Sequence, residues 1–190
     1  TAVLTESRYK ITDEFKILET IGVGSYSAVK LAINLKTKEK VALKMARGQT
    51  AINMLAEEAE ILKEIESCYF PKYLGYKVES IANRAYLVME YIEGKSLDQY
   101  LEEYDSIDEK TAWNYIKTIA VAINSLHSKA IVHRDIKPQN VMITTQGELK
   151  IIDFNISKQS TKMAQKIQSG ICSTKFMGRF FTQISSPLFA

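Results

Sequence analysis

The chain has few of the residues that mark disulfide-bonded or zinc-stabilised proteins. Its 190 residues include two cysteines and two histidines. Cys68 and Cys172 do not make a disulfide framework, and His127 and His133 do not complete a four-ligand zinc site with them. This cysteine usage indicates a reducing environment, so we expect the protein to be cytoplasmic or otherwise intracellular.

Long apolar runs and charge of one sign are also lacking. No segment approaches the ~18–20 apolar residues of a membrane span, and the first residues lack the basic-then-apolar order of a secretory signal. Twenty-five lysines and arginines face 22 aspartates and glutamates. A net charge of +3 is too slight and too dispersed to mark a nucleic-acid or membrane-surface binder. The sequence therefore predicts no nucleic-acid partner and no membrane segment in this chain.

The chain does have the balance of an ordinary globular protein. Hydrophobic residues make up 46% and charged residues 25% of the chain, which excludes disorder, collagen and coiled coil. The length suggests one domain, or one and a fraction. Because the chain opens on Thr1 and closes on Phe189 and Ala190, we expect it to be a piece of a longer protein.

Residue periodicity predicts a β-rich first half and a more helical second half. Strand-forming runs and one helical period precede a linker-like stretch, IEGKS, near Glu93. Asp108 is a plausible N-cap for a later helix. Two short apolar runs joined through Gly147 predict a hairpin. The predicted strands cover residues 15–20, 27–35, 38–46, 73–78, 85–91, 141–144 and 149–152, and the first helix covers residues 49–67.

One glutamate of the first predicted helix lies among apolar residues. At about 100° per residue, Glu58 falls in the middle of the apolar face. Glu57, Glu60 and Glu64 fall on the polar side. A buried carboxylate needs a cationic partner. Lys44, in the apolar strand VALK, is a candidate for that partner, although a strand lysine can also extend to solvent.

A glycine-rich stretch, IGVGSYSAV, lies between the first two predicted strands. Gly22 and Gly24 could simply make a turn there, which is the more common role of glycines between strands. A turn without side chains also lets backbone N–H groups approach phosphate oxygens closely. A strand follows rather than a helix, so the stretch is not the dinucleotide-binding fingerprint.

The most polar stretch is the loop in IVHRDIKPQNV, residues 131–141. It concentrates Asp135, Lys137 and Asn140 between two apolar runs, which is unusual for a loop without function. Asp153 follows at the end of the next apolar strand, where an aspartate is often only a turn former. An aspartate and an asparagine that meet at adjacent hairpin ends also make an oxygen site suited to Mg²⁺.

Taken in order, these motifs resemble those of a eukaryotic protein kinase catalytic domain of the Ser/Thr type. The glycine-rich loop, the VALK strand, the helix glutamate, HRDIKPQN and the Asp-Phe pair follow the family's order from about Phe15 to Ser157. The resemblance implies an α+β, two-lobe fold. It implies a flank at residues 1–14, a five-stranded antiparallel N-lobe with one helix at residues 15–92, and a partial, mainly helical C-lobe at residues 93–190.

The resemblance also implies roles for the polar residues. Lys44, paired with Glu58, would bind the α- and β-phosphates of ATP, and Asp135 would accept the proton of the attacking hydroxyl. Lys137 would neutralise the γ-phosphate and favours a Ser/Thr substrate. Two Mg²⁺ ions would be held by Asn140 and Asp153. The implied nucleotide-binding positions are Ile21, Gly22, Gly24, Val29, Ala42, Lys44, Met89, Glu90, Ile92 and Met142.

The chain departs from the family pattern in three places. Ser27 replaces the third loop glycine, where a strand conformation suits serine. Asn155 replaces the glycine after the Asp-Phe pair, and asparagine is the non-glycine residue that adopts positive φ most readily. No A-P-E motif follows, so the implied catalytic domain is truncated at its C-terminus. Arg134 resembles the arginine that pairs with an activation-segment phosphate, for which Ser160, Thr161, Ser169, Ser173 and Thr174 are candidates.

These motifs predict a protein kinase that transfers the ATP γ-phosphate to Ser/Thr hydroxyls of a protein substrate. The alternative is an inactive, pseudokinase-like module that binds nucleotide or acts as a scaffold. Retention of the predicted lysine, glutamate, aspartates and asparagine argues against a degenerate site. In the family, helices that bind the peptide substrate follow the A-P-E motif and complete the second lobe. Their absence from this piece argues for its inactivity, and we expect residues 1–190 alone to bind ATP weakly, if at all, and to leave peptides unphosphorylated.

Overall fold

The structure is a computed structural model that describes residues 10–104, 107–154 and 157–159. The chain divides into two compact units. The first unit runs to Glu66 and includes Pro71–Ile92, and the second consists of Ser67–Phe70 and the residues from Glu93 onward. Asn155, Cys172 and the candidate phosphorylation sites lie outside the described residues.

The first unit contains a five-stranded antiparallel sheet and one long helix. Its strand order is β1-β2-β3-β5-β4, so β1 and β4 are the edges. This architecture confirms the predicted fold class. The elements are β1 (Phe15–Val23), β2 (Ser27–Asn34), β3 (Lys40–Arg47), α1 (Gln49–Glu64), β4 (Tyr73–Glu79) and β5 (Arg84–Glu90).

One face of this sheet carries its own apolar cluster. Successive residues of a strand point to opposite faces, so Val41 and Leu43 of β3, and Tyr86 and Val88 of β5, reach it as alternate residues. Ile11, which precedes β1, packs into the cluster and is 2% exposed. The cluster consists of Ile11, Phe15, Ala32, Val41, Leu43, Tyr86 and Val88.

Helix α1 packs on the sheet through its apolar side. Leu55, Glu58 and Leu62 are buried, as the helical periodicity predicts. The helix begins after Gly48, whose φ of 85° suits a residue without a Cβ. It ends at Glu64, three residues before the predicted end, because the chain turns to an extended conformation at Ile65.

The second unit combines helices with short strands. Asp108 caps α3, because its side chain accepts the N–H of Thr111 at 3.0 Å, and this confirms the predicted cap. The elements are β6 (Gly94–Ser96), α2 (Leu97–Tyr104), α3 (Glu109–His127), β7 (Ile131–Val132), β8 (Val141–Thr144), β9 (Leu149–Ile151) and β10 (Lys158–Gln159). They form two small sheets, β6-β8-β9 and β10-β7.

The boundary between the two units falls between Ile92 and Glu93, within the stretch IEGKS, as its linker character predicts, but the last three residues of the stretch form a strand. Gly94–Ser96 pairs with β8 as strand β6. A Cβ at Gly94 would overlap the carbonyl group of Ile143, so this glycine permits close strand pairing. The predicted hairpin of β8 and β9 is confirmed, with Gly147 in the left-handed region at a φ of 81°. Within the described part of the chain, no helix is long and apolar enough to span a membrane.

Candidate active site

The sheet register of the first unit gathers five of the ten predicted nucleotide-binding residues on one face. Gly22 pairs with Val29, which pairs in turn with Lys44. Ala42 pairs with Met89 across β3 and β5. Directly paired residues share a face, and so do residues two apart on a strand. These five residues therefore lie on the face opposite to the Leu43 cluster.

Lys44 and Glu58 form a buried ion pair on this face. Lys44 Nζ lies 2.7 Å from Glu58 Oε1, and both residues are 3% exposed. Because water is excluded, their attraction is barely screened, and removing either partner would cost the other its ion pair while it remains buried. The pair joins β3 to α1 and confirms the predicted partner of the inward-facing glutamate.

The glycine turn is not demanded by the fold itself. Gly24 donates its N–H to the Ser27 carbonyl at 2.8 Å and closes the turn. Neither Gly22 nor Gly24 has a positive φ. A Cβ at Gly22 would meet Val29 at 3.7 Å, and one at Gly24 would meet Ser27 at 3.6 Å, both ordinary contacts. The neighbouring Ile21, at a break in the β1 register, is 44% exposed.

The predicted adenine-binding segment follows β5. The N–H of Glu90 donates to the Lys72 carbonyl at 2.9 Å, and its carboxylate accepts the Lys72 N–H at 3.0 Å. These two bonds fix the start of the segment, and Ile92 is partly exposed. Met142, also predicted at the nucleotide, is partly exposed on β8 of the second unit.

The polar loop of the second unit is arranged around Asp135. Its Oδ2 accepts hydrogen bonds from Lys137 Nζ at 2.8 Å and from Asn140 Nδ2 at 2.9 Å. The same amide nitrogen donates to the Asp135 carbonyl at 2.8 Å. Oδ1 accepts no hydrogen bond from the residues that the structure describes. Asp135 is therefore held through one oxygen and can accept a proton through the other.

Asn140 and Asp153 lie at the same end of the hairpin formed by β8 and β9. The carbonyl of Asn140 accepts the N–H of Ile152, the residue before Asp153, at 2.9 Å. Because Asn140 Nδ2 is used by Asp135, its Oδ1 is the atom left for a cation. An amide and a carboxylate oxygen suit Mg²⁺, which completes its shell with water and substrate phosphates. The donor set fits such an ion.

Backbone strain marks this loop region. Arg134 and Asp153 have φ values of 71° and 69°, a conformation uncommon for residues with a Cβ. His133, 3% exposed, is positioned to bridge the two loops. Its Nδ1 accepts the N–H of Asp135 at 3.3 Å, and its Nε2 lies 3.2 Å from the Ile152 carbonyl. Its ring also packs on Phe154 at 4.8 Å.

One contact of the polar loop has no signal in the sequence. Gln139 Nε2 donates to Asp98 Oδ1 at 2.7 Å and ties the loop to α2. The two residues are 41 positions apart, and both are of types common on solvated surfaces. Only the folded arrangement reveals that they meet.

The sequence matches a family model described as protein kinase domain over residues 15–179. The match extends beyond Ser157, where the recognisable motifs end. Among curated proteins, the chain is similar to serine/threonine-protein kinase greatwall of Xenopus tropicalis. They are 31% identical over 85% of this chain and 19% of the relative.

Two further relatives show the same pattern. Sperm motility kinase 2B of Mus musculus is 37% identical over 81% of this chain and 31% of its own length. The probable serine/threonine-protein kinase MARK-C of Dictyostelium discoideum is 31% identical over 97% of this chain and 23% of its own length. The chain thus spans 19% to 31% of the length of these relatives. With the family match covering most of its residues, the chain belongs to the protein kinase domain family.

Proposed function

We propose that this chain is the ATP-binding and catalytic part of a protein kinase that phosphorylates Ser or Thr hydroxyls of proteins. Protein kinases use ATP and a divalent metal ion. The similar proteins named above include serine/threonine-protein kinases. Lys137, two positions after Asp135, supports a Ser/Thr acceptor. Residues 15–92 correspond to the N-lobe and residues 93–190 to part of the C-lobe.

The observation that carries this proposal is the way Asp135 is held. Lys137 and Asn140 fix its Oδ2, so its Oδ1 has a defined direction and can act as a general base. In the reaction, the acceptor hydroxyl oxygen bonds to the γ-phosphorus while the bond to the β,γ-bridging oxygen breaks. The hydroxyl proton passes to Asp135 Oδ1, and ADP leaves with the electron pair of the broken bond.

The first unit supplies the groups for the nucleotide. Glu58 holds the Lys44 ammonium in place, so the lysine can bind the α- and β-phosphates without first being ordered. Val29 and Ala42 share its sheet face and offer apolar contact for the adenine ring. Because Gly22 and Gly24 have no side chains, phosphate oxygens can approach the backbone of this turn closely. Met89 and the backbone of Glu90 to Ile92 complete the adenine side.

The second unit supplies the metal ligands. Asn140 and Asp153 would hold the divalent ions, which neutralise phosphate charge when bound. Lys137 adds a further positive charge beside Asp135. Cys68, which is exposed and forms no disulfide, is compatible with a reducing compartment, and we propose an intracellular location.

The experiment is a transfer assay with γ-labelled ATP on protein expressed from its full coding sequence. Phosphoserine or phosphothreonine should form in a substrate protein. Lys44→Met should abolish the transfer because the phosphate-binding charge is lost. Lys16→Met, which removes an exposed strand lysine, is the matched control and should leave it unchanged. ATP binding without any transfer would instead favour the pseudokinase-like alternative.

A further inference from the structure

A short segment ahead of β1 crosses the back of the sheet in the first unit. Residues 10–14, which we call the strap, contain a 3-10 turn at Ile11–Asp13. Ile11 is buried beside Leu43 and Val88. The family match begins only at residue 15, so the strap lies outside the region that the family shares.

The strap is fixed at the β4 edge by two polar contacts. Glu79 Oε1 accepts the N–H of Ile11 at 3.3 Å, and its Oε2 accepts the hydroxyl of Tyr86 at 3.2 Å. Two residues earlier on the same strand, Lys77 Nζ lies 3.0 Å from the Glu14 carboxylate. Glu79 is 8% exposed, and a buried carboxylate that accepts two hydrogen bonds makes a specific latch.

The backbone of Glu14, whose side chain reaches Lys77, is fixed beyond β2. The Glu14 carbonyl accepts the N–H of Leu35, which follows β2, at 2.8 Å. In the strand order, β3 and β5 lie between β2 and β4. The strap therefore crosses β3 and β5. Those strands carry Lys44 and Met89 on the opposite face.

Neighbouring residues of a strand couple the two faces. Leu43 lies in the same apolar cluster as Ile11, and the next residue, Lys44, points to the opposite face of the sheet. Close-packed interiors transmit small displacements instead of absorbing them. We propose that Ile11 is a positioning residue, which holds β3 from behind so that Lys44 stays paired with Glu58.

The test measures how fast an amine-acylating reagent modifies Lys44 in the whole chain, followed by mass spectrometry. Exposed Lys16 serves as the internal reference. Ile11→Ala should raise the Lys44 rate at least about fivefold, because the cavity it leaves loosens the packing behind β3. Ile11→Val should stay near wild type. Leu126→Ala, an equal truncation at a buried site in α3, should leave the Lys44 rate within about twofold.

Hydrogen–deuterium exchange separates positioning from general loss of structure. In Ile11→Ala, peptides from β3 and β5 should exchange faster while those from α1 remain as in wild type. Equal acceleration in all three elements, or an unchanged Lys44 rate, would overturn the proposal. Should Ile11→Ala fail to fold, Glu79→Gln decides, since it weakens the latch at constant size. A Lys44 rate raised at least about twofold supports the proposal, and an unchanged rate refutes it.

These readouts require no ATP. The positioning role of Ile11 can therefore fail while the kinase activity proposed above is found, and the reverse can also occur. In an active protein, a third readout is available: Ile11→Ala should raise KM for ATP and leave kcat nearly unchanged.

Discussion

The two units hold their charged groups by different physical means. In the first unit, Lys44 and Glu58 are almost completely buried, on a strand and on a helix. In the second unit, Asp135 and Lys137 lie on a loop, and their side chains are 32% and 41% exposed. The first pair is held by packing and by mutual attraction at low dielectric, and the second by hydrogen bonds near water.

This difference separates stability from chemistry. Breaking a buried ion pair is costly, because the remaining charged group is not hydrated. A partly exposed pair contributes little to stability, because water competes with it and salt screens it. We therefore expect removal of one charge of the buried pair to lower the free energy of unfolding, and charge removal in the second unit to stop phosphoryl transfer without loss of stability.

The largest expected effect is that of Asp135→Asn on turnover, measured in protein expressed from its full coding sequence. Loss of the general base should lower kcat by about 10²- to 10⁴-fold. The dissociation constant for ATP and the urea midpoint of unfolding should stay close to wild type, since asparagine keeps the size of the side chain. A large drop in the urea midpoint would break the comparison, because it would show that this loop also supports the fold.

The next effect is that of Glu58→Ala on stability. It should lower the free energy of unfolding by about 3–5 kcal/mol, because the Lys44 ammonium remains buried without its carboxylate. Urea denaturation followed by circular dichroism measures this change. Glu57→Ala, at the exposed neighbouring position, is the control and should stay within about 0.5 kcal/mol of wild type. Similar losses in both variants would contradict a special role of the pair.

A smaller effect concerns the glycine turn. Gly22→Ala should raise the dissociation constant for ATP several-fold, while the free energy of unfolding stays level or rises by up to about 1 kcal/mol. Isothermal titration and urea denaturation measure the two quantities. Gly75→Ala, on β4 with open space around its Cβ position, should leave ATP affinity unchanged. A loss of stability in Gly22→Ala would show that the fold, and not a ligand, requires this glycine.

The smallest effect is a pH dependence in the second unit. Burial lowers the pKa of His127, so the folded state resists its protonation more than the unfolded state does. Stability should therefore decline as pH falls below the unfolded value of about 6.5. His127→Gln should show a shallower fall in melting temperature between pH 7.5 and 5.5. Identical slopes in the two proteins would remove His127 from the explanation.

Much of the architecture could be predicted because it rests on local signals. The helical period identified Glu58, the Asp108 cap marked the start of α3, and the turn at Gly147 marked the hairpin of β8 and β9. The motif order predicted which side chains matter. These signals involve residues that are close in sequence or that the resemblance supplies directly.

The features that the sequence did not predict depend on distant contacts. Strand β6 forms because Gly94 fits against the backbone of Ile143, which lies 49 positions later in the sequence. The Gln139–Asp98 bond and the Ile11–Glu79 latch join segments that are 41 and 68 positions apart. Polar residues in such pairs have the composition of solvated surface, and tertiary structure alone brings them together.

The central claim is that the buried pair of the first unit is kept for nucleotide binding and not for stability. The double variant Lys44→Met/Glu58→Leu tests it most directly, by urea denaturation and ATP titration on the same protein. Well-packed apolar residues often replace a buried ion pair without loss. We predict a free energy of unfolding equal to or above that of wild type, with ATP binding lost. A loss of several kcal/mol, or ATP binding that persists, would contradict the claim.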